Sequence, residues 1–339
     1  MIKKWFKNTL YPSLDWIQVE LTSYCNASCI YCPRHIYKDA WINRNLSLND
    51  FERLKPAFKK THLVYLQGWG EPFLNTELFT MVNIAKEAGC KVGTTTNGML
   101  LNEENIYRIV ESNIDILAFS LAGVNKGNDE IRQGTKFDKI LEAVKNLQKI
   151  KKKLGKKLPA INIAYILLRS RLDDIELLPD VLKDLDITQV VVSTLDFVPC
   201  KELIKETIIP SNFEEYEKIR SRLDKVKFIF EKSRTAFHYL FHRPEERNLE
   251  CTENIQRALF VSAEGKVSPC VFLNLPVSPQ SVCLYRNNER QYHHITFGDI
   301  NEIPISEIWR DKIYRVFRET FLENKLPEIC KECPKLFVT

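Results

Sequence analysis

Three cysteines crowd into eight residues, Cys25-Asn26-Ala27-Ser28-Cys29-Ile30-Tyr31-Cys32, and no other segment of the chain is better equipped for chemistry. Three thiolates at this spacing can bind three irons of a four-iron, four-sulfur cube and leave the fourth iron open to a small molecule, whereas a closed electron-transfer cluster takes four cysteines. A zinc site with a distant fourth ligand, or three buried thiols, are the alternatives the residues themselves leave open. A second group follows far downstream: Cys251, Cys270 and the pair Cys330-Lys331-Glu332-Cys333. Four thiolates suit a closed 4Fe-4S cluster or a tetrahedral zinc, with Cys283 as a substitute for one of them.

The setting agrees with metal rather than disulfide chemistry. The chain has ten cysteines and no leader-like start: Met1 to Leu14 is basic without an apolar run or a small-residue cleavage site. A cytoplasmic protein keeps its thiols reduced, so the cysteines are expected to serve as ligands. No stretch approaches the ~20 apolar residues of a membrane span. The net charge of +5 arises from 49 basic and 44 acidic residues spread along the chain, which gives no reason to expect nucleic acid. The one dense basic run, Lys151 to Lys157, reads as the solvated end of a helix.

Elements that could position these cysteines alternate over the first two hundred residues. Candidate strands are Trp16 to Leu21, His62 to Leu66, Lys91 to Thr95, Ile116 to Ser120, Ile161 to Leu167 and Gln189 to Ser193. Helical stretches between them run Leu48 to Lys59, Glu77 to Ala88, Glu103 to Glu111, Phe137 to Lys152 and Ile175 to Leu185, with Asn102 as an N-cap and Gly89 as a stop. Strand and helix in turn build a parallel sheet. The fold class is therefore α/β, as a partial (β/α)6 TIM-like barrel, with a doubly wound open sheet as the alternative. The triplet of cysteines directly follows the first strand, where a barrel carries its reactive centre. After Phe197 the alternation stops; a charged helix from Asn212 to Lys227 leads to a proline-rich tail in which Glu264-Gly265-Lys266 turns a hairpin. The expected division is a barrel core over 1–200, a helical connector over 201–250 and a small loop-rich iron-sulfur domain over 251–339, with the boundary near Glu250. A unit of under a hundred residues often needs a metal to hold it together.

The spacing Cys-x3-Cys-x2-Cys with Tyr31 before the last cysteine resembles the signature of the radical S-adenosylmethionine (SAM) superfamily, and the likeness extends further. Gly68-Trp69-Gly70-Glu71-Pro72, after the second strand, resembles that family's Gly-Gly-Glu-Pro segment, with Trp69 as a departure. Thr96-Asn97-Gly98 follows the third strand and Ser120 ends the fourth, as in the family; where members often carry Asp two residues on, this chain has Ala122. The resemblance implies a 4Fe-4S cluster on Cys25, Cys29 and Cys32, with SAM contacts from Tyr31, Gly70, Glu71, Asn97 and Ser120. Arg132 is the candidate to compensate, by charge pairing, for the contacts to the SAM ribose and carboxylate that the change to Ala122 puts at issue. It further implies anaerobic reductive cleavage of SAM to methionine and a 5'-deoxyadenosyl radical that removes a hydrogen atom from a substrate. The tail, with Gly265-Lys266-Val267-Ser268-Pro269-Cys270 and Cys330-Lys331-Glu332-Cys333, resembles a SPASM extension. A full extension continues with three more cysteines; this one implies a single auxiliary 4Fe-4S cluster on Cys251, Cys270, Cys330 and Cys333.

The phrases Val64 to Pro72, Val92 to Leu101 and Phe119 to Gly123 are most similar to radical SAM/SPASM metalloenzyme maturases, including those of tungsten-cofactor oxidoreductases. That likeness implies a protein, peptide or cofactor precursor as client, and an electron donor such as ferredoxin or flavodoxin. The competing readings are a small-molecule cyclase of the molybdenum-cofactor type, whose glycine-rich tail is absent here, and a non-enzymatic electron carrier or zinc module. Cys90 reads as a core residue, Cys200 and Cys283 as incidental thiols or hydrogen-atom donors, and His293-His294 as a pair pointing to opposite sides. Asp196, after the sixth strand, is an acidic candidate with no assigned role.

Overall fold

The computed structural model describes residues 14–244, 251–278, 281–285 and 288–337. The boundary expected near Glu250 and most of the first fourteen residues lie outside these. In chain order the strands are β1 (Leu14–Val19), β2 (Ser28–Cys29), β3 (Thr61–Leu66), β4 (Lys91–Thr96), β5 (Ile116–Leu121), β6 (Arg132–Gln133), β7 (Ala160–Leu167), β8 (Gln189–Thr194), β9 (Ala236–Tyr239), β10 (Ala258–Val261), β11 (Lys266–Ser268), β12 (Val282–Tyr285), β13 (Asn288–Gln291) and β14 (Gly298–Asp299).

One sheet of ten strands dominates, in the order β14-β11-β10-β1-β3-β4-β5-β7-β8-β9. The six strands expected from the sequence are β1, β3, β4, β5, β7 and β8; they lie side by side in chain order, all parallel. Consecutive order means every crossover winds the same way, which is a partial barrel and not a doubly wound sheet. Two further parallel strands extend it: β9, from the connector, beside β8, and β10, from the tail, beside β1. Beyond β10 the sheet turns antiparallel through β11 and β14, and Glu264-Gly265-Lys266 makes the expected hairpin.

Strand residues pointing outward, such as Ile17, Val64, Val92, Leu117, Ile161 and Val190, are fully buried against Val82, Ile109, Ile140, Val144 and Leu147 of the covering helices. Burying a side chain of this size stabilises by about 1.5–3 kcal/mol, so the layer of helices is held to the sheet mainly by apolar area. Helix Glu103–Glu111 starts where expected: the Asn102 side chain accepts from Asn105 N at 2.8 Å. Two helices are broken where continuity was expected. Residues 48–59 split into Leu48–Glu52 and Lys55–Phe58, with Pro56 opening the second; residues 175–185 split at Pro179, with a 3-10 turn before it. A proline has no N–H for the preceding turn, so the chain restarts there. Lys151 departs from the solvated reading of the basic run: it is buried, and its ammonium donates to Pro159 O at 2.7 Å. Among the described residues no helix is long and apolar enough to cross a membrane.

Candidate functional site

The carboxyl ends of the parallel strands converge on a cavity of about 280 Å³. Cys25, Cys29 and Cys32 line it on one side, and Gly70, Glu71, Asn97, Ser120 and Arg132 line it from the ends of β3, β4 and β5 and the segment after β5. Tyr31 is also in the wall. The structure thus brings together every residue that the sequence assigned to the first site.

Local pairing explains how a loop holds its shape there. β2, which contains Cys29, pairs antiparallel with β6 through Cys29↔Arg132 and Ser28↔Gln133, clipping the cysteine loop to the segment after β5. Pro33 then starts a helical turn and ends the loop. The buried Arg132 guanidinium hydrogen-bonds the Tyr31 hydroxyl, while its Nε finds no partner among the described residues. Burial works against the charge on Arg132, yet Cys29, Tyr31 and Cys25 together hold it firmly protonated. Asn97 Nδ2 donates to Asn26 Oδ1 at 2.7 Å, tying the end of β4 to the same loop. Glu71 is spent inside the protein: it accepts from the Thr96 hydroxyl at 2.8 Å and Asn97 N at 2.7 Å, and burial raises its pKa. Its visible work is to fix the loop after β3 against β4. Ala122, at the family's usual Asp position, is fully buried, and its N–H donates to Asn128 Oδ1 at 3.1 Å.

The thiols match a thiophilic, electron-deficient guest. Burial, followed by repulsion from Cys29, pushes Cys32 up to about 12, and burial likewise raises Cys25. Thiols held neutral by burial, beside a buried guanidinium whose Nε has no partner among the described residues, are a costly arrangement. Binding iron replaces the thiol protons by metal, and the buried Arg132 offsets part of the negative charge of a thiolate-bound cluster.

The tail builds a second centre. Cys251, Cys270, Cys330 and Cys333 line one small cavity with Phe272 and Lys335. Cys251 opens a turn closed by Asn254 N to Cys251 O, Cys270 follows the β10–β11 hairpin, and Cys333 N donates to Cys330 O at 3.1 Å. Cys270 is raised well above the ordinary thiol value, first by burial, then by Glu253 and by the charges of Cys251, Cys333 and Cys330. Burial pushes Cys330 up to about 12 and Cys251 up to about 11. The four thiols therefore share one field. Among the described residues no three His, Cys, Asp or Glu side chains converge closely enough for a single metal ion.

The remaining sequence candidates go elsewhere. Cys283 is buried with Trp41, Phe197 and Tyr292 and does not line the cavity of the four tail cysteines, and Cys200 packs with Val198, Leu203 and Leu284. Cys90 is in the core, its thiol against Phe58 O at 3.1 Å. His294 Nε2 meets Leu275 O at 2.6 Å and its ring packs edge-on to Tyr292, and both His293 and His294 line a further cavity. Asp196 does enter the reaction cavity. Sequence reasoning missed Phe197, Phe272 and Lys335 in its wall. Trp69 was visible only as a departure from the family pattern; it packs edge-on to Phe197 and Phe272, with ring centroids 6.1 and 6.0 Å away.

A parallel partial barrel with a three-cysteine loop at the carboxyl ends of its strands, and four further cysteines lining one cavity in its tail, is an arrangement suited to iron-sulfur chemistry. The chain carries a radical SAM domain and a SPASM domain: the model of the radical SAM superfamily matches residues 19–169, and that of the SPASM iron-sulfur cluster-binding domain matches residues 251–334. The two domains imply 4Fe-4S clusters and SAM binding. A relative in Pyrococcus furiosus, the tungsten-containing aldehyde ferredoxin oxidoreductase cofactor-modifying protein, is 23% identical over 94% of this chain and 87% of the relative. Among solved structures, Streptococcus suis SuiB bound to S-adenosylmethionine has a TM-score of 0.66 at 16% identity, covering 98% of this chain and 74% of SuiB. SuiB bound to its precursor peptide SuiA gives 0.64 at 16% identity, covering 98% and 72%. At these identities the structural likeness concerns the fold.

Proposed function

We propose that the chain cleaves SAM reductively at a 4Fe-4S cluster held by Cys25, Cys29 and Cys32, and modifies a protein, peptide or cofactor precursor during maturation of a metalloenzyme. The observation that carries the reading is the single cavity shared by those three thiols and by Gly70, Asn97, Ser120 and Arg132. When bound, the reduced cluster and SAM supply one-electron cleavage of a carbon–sulfur bond and a carbon radical able to remove a hydrogen atom.

The chain's own residues orient and exclude. Asn97 and β6 hold the cysteine loop in register with the strand ends. Backbone around Gly70 offers hydrogen-bonding groups to the SAM amino group, and Ser120 and Arg132 offer polar contacts to its ribose and carboxylate. Trp69, Phe197 and Phe272 close the opposite wall with aromatic surface, which keeps water from the reacting centre. The tail cysteines Cys251, Cys270, Cys330 and Cys333 hold one auxiliary 4Fe-4S cluster in this reading. The core over 1–200, connector over 201–250 and cluster domain over 251–339 then act as one machine in a reducing cytoplasm, with ferredoxin or flavodoxin as electron donor. The client class follows the Pyrococcus relative, named for modifying a cofactor, and SuiB, whose structure holds a precursor peptide.

Anaerobic reconstitution tests the reading. About eight irons per chain are expected, falling to about four when Cys25, Cys29 and Cys32 are replaced by serine and to about four when Cys330 and Cys333 are replaced. The first set of variants is expected to yield no 5'-deoxyadenosine from SAM and dithionite. Protein that holds only zinc, or a Cys29→Ser variant that still makes 5'-deoxyadenosine, would overturn it.

A further inference from the structure

The cavities of the two cysteine groups share lining residues. Phe272 and Lys335 line both the reaction cavity and the cavity of the four tail cysteines. Lys335 Nζ lies 2.9 Å from Asp196 Oδ2 and 3.3 Å from Glu253 Oε1, and the three side chains are only 17%, 8% and 19% exposed. The second oxygen of Asp196 accepts from the Thr194 hydroxyl at 2.8 Å, so the carboxylate is fixed at the end of β8. Glu253 sits two residues after Cys251. The Lys335 ammonium also stands 5.4 Å from the Phe272 ring centroid, on the shared wall.

Such a trio is a poor stability device, because taking three charges out of water costs about as much as their attraction returns. Its place gives it a different use. Reduction adds one negative charge to a cluster, and the net charge around the cluster helps set how readily that electron is accepted. We propose that Lys335, held between Asp196 and Glu253, is the charge that keeps the reduction potential of the four-cysteine centre up and ties that centre electrostatically to the reaction cavity. The inference rests on the reading that these cysteines hold a 4Fe-4S cluster. Lys335 here is a positioning residue: it acts on the cluster through its field and on the cavity through Asp196.

The sign of each perturbation follows. Lys335→Met leaves two carboxylates unopposed beside the centre and makes reduction harder; Asp196→Asn removes a negative charge and makes it easier. Full-length protein with Cys25, Cys29 and Cys32 replaced by alanine isolates the auxiliary cluster for anaerobic potentiometric titration followed by electron paramagnetic resonance. Lys335→Met is expected to lower the reduction equilibrium constant about tenfold, or about 59 mV for one electron. Lys335→Arg, which keeps the charge, is expected to stay near the parent value, and Asp196→Asn to move upward. A potential unmoved in Lys335→Met, or moved in the same direction by Lys335→Met and Asp196→Asn, overturns the inference. Should Lys335→Met fail to retain iron, Asp196→Asn decides alone: a potential that does not rise overturns it. A parent protein with no auxiliary four-iron signal sinks the cluster reading itself, and the inference with it, whereas an intact signal with an unmoved potential sinks only the role of Lys335.

Discussion

Gly70→Ala puts the geometry of the reaction cavity to a direct test. A Cβ built on Gly70 would stand 2.2 Å from Thr22 O and 2.5 Å from Tyr24 O, both backbone atoms that no rotamer change can move. Side-chain carbons essentially never approach within 3.0 Å, so the loop after β3 must retreat from the cysteine loop by about 0.8 Å, the gap between 2.2 and 3.0 Å. That retreat pulls on Glu71 N to Tyr24 O, a 2.8 Å bond joining the two loops, and losing it costs about 1 kcal/mol. Overpacking adds about 1–3 kcal/mol to the loss of stability. Rate should suffer more, since a misplacement of about 1 Å in a reacting pair costs roughly a hundredfold. Anaerobic 5'-deoxyadenosine formation from SAM and dithionite measures it, with iron content verified in each sample. Gly89→Ala serves as the control: its φ of +89° strains an alanine, but its Cβ meets nothing within 4 Å. That variant is expected to lose about 1 kcal/mol of stability with its rate intact. A Gly70→Ala protein with full iron and a rate within threefold of the parent would refute the claim that close backbone approach at Gly70 sets the site.

Three further outcomes are expected. Glu20 is buried and burial raises it from 4.5 to about 7, so its contribution is fully present below pH 4.5 and lost as pH rises through 7, at most about 3 kcal/mol; Glu20→Gln should flatten denaturant stability between pH 5 and 8, and parallel curves for the two proteins would contradict this. Asn97→Ala removes the bond to Asn26 and the acceptor for Met99 N at 2.9 Å, and should weaken SAM binding in calorimetry about tenfold while leaving the tail cluster's iron in place. Asp115→Ala strips the acceptor shared by Lys86 Nζ at 2.6 Å and Val92 N at 2.7 Å, and should lower stability by about 1–3 kcal/mol in urea without changing 5'-deoxyadenosine output.

Long elements and spaced thiols were legible in the sequence because each carries its own signal. β5 and β7 read as apolar runs with turn residues at both ends, and Asn102 announces a helix by the donors it satisfies. Cys25, Cys29 and Cys32 stand out by spacing, and all three line one cavity. β9 and β10 were not legible as members of the main sheet, since four residues carry too little periodicity and their partners, β8 and β1, are chosen by tertiary packing. The breaks at Pro56 and Pro179 were available from the residue type but were read through, because the apolar spacing on either side continues a helical pattern. Lys335 offered no signal at all. A lysine after Cys-Pro in a polar tail looks solvated, and only the return of the tail over β8 puts Asp196 beside it.

The insertion of β10 beside β1 decides how strongly the two centres are joined. β1 is the strand that delivers the cysteine loop, and it pairs with β3 on one side and with the tail's β10 on the other. Glu20, just past the end of β1, repeats that arrangement at the level of one side chain: one carboxylate oxygen accepts from Trp69 N at 2.8 Å and the other from Ala263 N at 3.1 Å. A Cβ on Gly68 would meet the Glu20 side chain at 2.4 Å, so the loop after β3 packs directly on this link. Backbone pairing along a shared strand resists shear far better than a flexible tether between two domains, because displacement must break several hydrogen bonds together. The four-cysteine lobe is consequently held in register with the reaction cavity, and Phe272, which lines both cavities, inherits that register from the β10–β11 hairpin, whose second strand ends at Ser268, four residues upstream of it. A substrate held in the cavity would therefore meet a fixed aromatic and charged wall, with selectivity set by what Trp69, Phe197, Phe272, Asp196 and Lys335 present to it.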